Sequence, residues 1–126
     1  MAARQRQTYG EEVANVLTHG AGMLFGMTAI IVLMMAAIRS GNPWAIGSFA
    51  VYAVCMTLSY VTSTFYHAST HARQKRLLRR FDHGAIYLHI AGTYTPFTLL
   101  ALRQEGYWGW SLFAVIWIAA VIGVWL

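Results

Sequence analysis

Four long apolar runs divide the chain, at about 16–38, 44–66, 83–102 and 108–126. Each is near the roughly 20 residues that a helix needs to cross the hydrocarbon of a bilayer. Short polar segments separate them: "RSGNP" after the first, Ala68–Phe81 after the second, "RQEGY" after the third. Trp44, Tyr107 and Trp108 stand at predicted ends, where interfacial aromatics are expected. The pattern predicts an all-α, multi-pass transmembrane helix bundle forming a single domain over 1–126, with "YGEEVANVL" as a short interfacial helix leading into the first span.

Composition agrees with this division. Hydrophobic residues make up 58% of the chain and charged residues 10%, against roughly 25% charged in soluble domains. The net charge is +5, but the basic residues lie between apolar blocks. That distribution suits an anionic leaflet and excludes a nucleic-acid-binding face. The lipid bilayer is therefore the expected partner. The single cysteine, Cys55, rules out an internal disulfide. Arg4 and Arg6, with Arg73, Lys75, Arg76, Arg79 and Arg80 in the 68–81 segment, outweigh Arg39 and Arg103 on the other side. The positive-inside rule then places the N-terminus and that segment in the cytoplasm, with the chain in the cell membrane.

Three spans carry polar lines at this same end. Glu12, Asn15 and His19 are at i, i+3 and i+7, and Ser59, Ser63 and His67 are at i, i+4 and i+8, each set on one helical face. Ser63 is one turn from His67, in reach of its imidazole. Asp82, His89, Thr93 and Pro96 trace a third line. Pro96 should kink its helix or free the carbonyl of Gly92. Taken singly, these residues have simpler readings: Asp82 as the N-cap of the third span, Glu12 as a favourable charge at a helix start, His71 as a solvated loop residue. Together they point inward, because ionisable groups facing lipid are costly.

The motifs "EEVANVLTHG", "STFYH" and "FDHGAIYLHIAGTYTPF" resemble those of the hemolysin III family, the bacterial branch of the progestin and adipoQ receptor superfamily. The resemblance runs from about Glu11 to the end of the chain. It implies a seven-span fold with a cytoplasmic N-terminus, of which four spans are here, so the sequence is expected to be the front part of something longer. It also implies a zinc ion near the cytoplasmic side, with His67 as one ligand, Ser63 in the same motif, and Asp82 holding a metal-bound water. Two further histidine ligands would come from a seventh helix, beyond Leu126. Three protein ligands leave one zinc position for water, and zinc brings its pKa to about 7. Asp82 would act as general base. The superfamily's relation to alkaline ceramidases implies a lipid amide or ester as substrate. The competing readings are a membrane sensor or receptor with structural zinc, and a membrane-lytic protein. The oligomeric state is left open.

Overall fold

The computed structural model describes residues 8–126, so Arg4 and Arg6, counted above for orientation, lie outside the described residues. Four α-helices account for most of the rest: α1 Tyr9–Ser40, α2 Pro43–Ala68, α3 Ala72–Pro96 and α4 Trp108–Trp125. A π-helical turn, Phe97–Ala101, joins the end of α3. Among the described residues there is no strand. The fold is an all-α membrane bundle, and α1, α2 and α4 are each long and apolar enough to cross a bilayer.

The helix ends follow from their sequences. Thr8 caps α1 reciprocally with Glu11. The Thr8 N–H donates to Glu11 Oε2 at 2.6 Å, and the Glu11 N–H donates to Thr8 Oγ1 at 3.3 Å. The expected interfacial helix is thus no separate element: α1 starts at Tyr9 and runs unbroken into the first span. Gly41 ends it in the left-handed region, at φ 65°. Asn42 then caps α2 by accepting from the Trp44 N–H at 3.0 Å, with Pro43 in the first turn.

The expected loop 68–81 is mostly helix. Only Ser69–His71 lie outside regular structure, and α3 begins at Ala72. "RQKRLLRR" consists of good helix formers, so the basic residues extend α3 beyond its apolar half. That half runs from about 83 to 96 and into the π turn, which together cover most of the expected third span. Asp82 therefore lies inside α3, eleven positions past the N-cap His71, and is no N-cap. The disturbance expected at Pro96 takes the form of the π turn that follows it. There the Leu102 N–H reaches the Phe97 carbonyl, five residues back, at 3.3 Å.

Packing is sequential: α1 on α2, α2 on α3, α3 on α4. The buried seams consist largely of small residues, among them Gly26, Ser48, Cys55, Ser63, Ala91 and Gly92. Large apolar side chains point outward, and Phe25 is 80% exposed. This is the arrangement for a lipid surround, where apolar tails gain nothing by leaving lipid and close backbone approach drives association. The hydroxyls in the seam bond within the protein. Thr95 donates to the Ala91 carbonyl at 2.8 Å and accepts from Trp117 Nε1 at 3.1 Å.

The α2–α3 contact is tightest at Gly92. A Cβ there would stand 2.6 Å from Cys55 Cβ and 3.0 Å from its sulfur, with the Tyr52 backbone behind. At Gly26 the obstacle is only the flexible end of Met56. We expect Gly92→Ala to destabilise the detergent-solubilised chain by about 1–3 kcal/mol, with faster alkylation of buried Cys55. Gly26→Ala should cost much less. Thermal unfolding and maleimide labelling measure both.

Candidate functional site

The polar lines of α1 and α2 meet at one end of the bundle. Glu12 is in the first turn of α1 and His67 in the last turn of α2. His67 Nδ1 stands 2.8 Å from Glu12 Oε2, with only 9% of the histidine side chain and 18% of the glutamate side chain exposed. A carboxylate only accepts, so the Nδ1–H donates, and in the neutral ring Nε2 is then the nitrogen that carries the lone pair. The Asn15 amide lies 3.5 Å from the same nitrogen, too long to compete with the carboxylate.

Two more contacts complete the cluster. Lys75 Nζ donates to the other Glu12 oxygen, Oε1, and its ammonium lies 5.3 Å from the centre of the Tyr66 ring. His19 Nδ1 is hydrogen-bonded to Ser63 Oγ. Ser63 therefore partners the histidine of the neighbouring helix, where the sequence pattern suggested His67 one turn away. The geometry favours this: α1 and α2 pack face to face, so a short hydroxyl reaches across more readily than up its own helix. The His19 and His67 rings meet edge to face at 5.6 Å.

The α3 residues take separate places. Asp82 is buried at the inner face of α3. The basic side chain beside it is His83, with Nδ1 at 3.9 Å, and that nitrogen also lies 2.9 Å from the Arg79 carbonyl. His89 packs beside the Tyr60 and Tyr52 rings, centroids 5.9 and 6.4 Å away, rather than in the Glu12 cluster. His71 is exposed at the start of α3. Ser59 contributes only its carbonyl, which accepts from Thr62 at 3.1 Å. Among the described residues, no three His, Cys, Asp or Glu side chains are grouped to hold a metal ion.

Residues 7–126 match the family described as haemolysin-III related. The chain belongs to that family. It is similar to Hemolysin-3 of Bacillus cereus, 45% identical over 121 residues, which is 96% of this chain and 54% of that protein. It is also similar to a Hemolysin-3 homolog of Bacillus subtilis (strain 168), 43% identical over 93% of this chain and 54% of the relative. The chain thus spans about half the length of both relatives. No solved structure matches it. The family assignment accords with a multi-pass membrane protein, as the apolar helices already show.

Lys75 is the participant that sequence reading missed. Its signal was present, since it is the only lysine of the chain and sits four residues after His71 on a helix. Assigning 68–81 to a loop concealed this. Glu12, His67 and Lys75 form a shared network, so their substitutions should not be additive. A double-mutant cycle on Glu12→Gln and Lys75→Met, read by chemical or thermal unfolding in detergent, is expected to give a coupling of about 1 kcal/mol. Glu12 with the exposed Arg76 should show none.

Proposed function

We propose that this chain supplies part of a zinc-dependent, hydrolase-like site near the cytoplasmic face of the cell membrane, acting on an amide or ester bond of a lipid. The observation that carries this reading is the His67–Glu12 bond. Histidines that ligate metals characteristically donate their other ring N–H to a carboxylate, which fixes the tautomer and makes the free nitrogen a better donor. His67 has this arrangement, with Nε2 available. The donor chemistry therefore fits one zinc ligand. The others are expected in the part of the relatives that this chain does not cover. Bound zinc would supply Lewis acidity to a substrate carbonyl.

This chain's own residues would do the rest. Glu12 orients His67, and Lys75 holds Glu12 ionised for that task. Ser63 fixes His19 beside the His67 ring. Asp82, buried on α3, is the base that takes the proton of the attacking water. The concentration of basic residues at the start of α3 supports a cytoplasmic position for this end, and with it a cytoplasmic N-terminus.

The relatives' name favours a second reading, membrane lysis. Against it, the paired ionisable groups among the described residues gather at the Glu12 end of the helices.

The test is made on a full-length family member carrying this segment. We expect one zinc per chain, lost on His67→Ala. Asp82→Asn should keep the zinc and lose at least about 100-fold in hydrolysis of a ceramide-like amide, the scale of general-base catalysis. Zinc retained in full after His67→Ala would sink the assignment. Zinc lost as expected with Asp82→Asn fully active would remove Asp82 as the base, and no hydrolysis in any form would leave a structural metal in a sensor. Dye release from liposomes that survives His67→Ala would favour lysis.

A further inference from the structure

The opposite end of the bundle is organised differently. Trp44 opens α2 and His67 closes it, 23 positions apart, which is roughly 35 Å along a helix axis. Near Trp44, α2, α4 and the π turn leave a groove of about 540 Å³. Trp44, Val51, Leu99, Phe113 and Trp117 form its apolar walls. Its polar wall residues, Ser48 and Thr95, are already satisfied: Ser48 donates to the Ala45 carbonyl at 3.3 Å, and Thr95 is bonded as described above. The groove has the size of a small-ligand site, and offers its occupant almost nothing but hydrocarbon contact.

One cation stands at the rim. Arg103 donates through Nε to the Leu99 carbonyl at 3.2 Å, and its guanidinium lies 4.1 Å from the centre of the Trp44 ring. Both partners line the groove, so the side chain is held beside it. Among the described residues Arg103 has no carboxylate partner, although Glu105 is only two positions away. Its terminal N–H groups donate to no described residue. A guanidinium stacked on tryptophan, with its outer donors free, is prepared for an oxyanion. Trp44, Trp108 and Trp110 mark this level as the boundary between hydrocarbon and headgroups, where lipid phosphates lie.

The geometry points to a binding site for an anionic phospholipid, with an acyl chain in the groove and the phosphate on Arg103. The occupant is set by charge complementarity: a fixed cation at the mouth of an apolar slot selects an amphiphile with a negative head. A zwitterionic lipid offers the same chain and phosphate, but its own cation cancels much of the attraction. This site is separate from the Glu12–His67 cluster and independent of its chemistry.

The probe is quenching of tryptophan fluorescence by brominated lipid. The 126-residue chain in detergent is titrated with dibrominated phosphatidylglycerol and with dibrominated phosphatidylcholine of the same chain length. The expected result is about fivefold tighter binding of phosphatidylglycerol, the effect of one basic residue at a membrane surface. Arg103→Gln should abolish the preference and Arg103→Lys keep part of it. Arg79→Gln with Arg80→Gln, at the far end, should leave it unchanged. A second variant does not touch the charge. Gly47 lines the groove, and a Cβ there meets no atom within 4 Å, so Gly47→Leu places bulk in the slot and should weaken both lipids. Equal affinity for the two lipids in the parent chain overturns the proposal. So does a preference that survives Arg103→Gln, or one lost with the Arg79 and Arg80 pair. If neither lipid is weakened by Gly47→Leu, the chain does not lie in the groove and the proposal fails.

Discussion

A carboxylate at the edge of a membrane needs partners, and Glu12 takes them from two other helices at once. One oxygen accepts from His67 on α2 and the other from Lys75 on α3. α1 has no backbone packing against α3 among the described residues; it rests on α2 alone. Glu12 is therefore the link that ties the start of α1 to the start of α3 across the end of α2. The cost of leaving such a charge unpaired near hydrocarbon holds three helix ends at a common level. That level is where the remaining polar residues gather. His19 and Ser63, one to two turns further in, can meet only because the helix ends are already in register.

Below this end, the helices are held by closeness rather than by charge. The seam between α2 and α3 has glycine against cysteine, and serine and threonine hydroxyls bonded within the protein. In lipid there is little gain from burying large apolar groups, and small residues let helices approach until dispersion and backbone contacts hold them. The two devices divide the work. The small-residue seam sets how near the helices lie, and the polar cluster sets how they slide along one another. A helix pair packed only through glycine and alanine could shift by a turn with modest loss. A carboxylate that must reach a particular imidazole and a particular ammonium could not.

Much of this was legible in the sequence, and the exceptions have physical causes. The spans were readable because lipid demands long apolar runs, a constraint strong enough to survive local noise. The faces bearing Glu12, Asn15, His19, Ser63 and His67 were readable because helical periodicity is fixed once a span is recognised. Which residue would pair across the faces was not. Ser63 with His19 depends on the relative height of two helices, and spacing within one helix says nothing about that. The start of α3 was misread for another reason. A dense run of arginines resembles a solvated loop by polarity, while its propensity is that of a helix. Once helical, it places Lys75 on a rigid element, and a lysine on a helix can be aimed at Glu12 in a way that a lysine in a loop cannot.

The same reasoning separates the two ends of the bundle. At the Glu12 end both carboxylate oxygens are engaged, one by His67 and the other by Lys75. The His67 imidazole has one nitrogen on that carboxylate, and its other nitrogen bonds to no described residue. At the Trp44 end the incomplete group is Arg103, with its Nε held by a carbonyl and its outer N–H groups without protein partners. The two ends differ in kind: one is a network of paired ionisable groups, the other a lone cation beside an apolar groove. Trp44 and His67 stand near opposite ends of α2, so the two arrangements are separate in place as well as in chemistry.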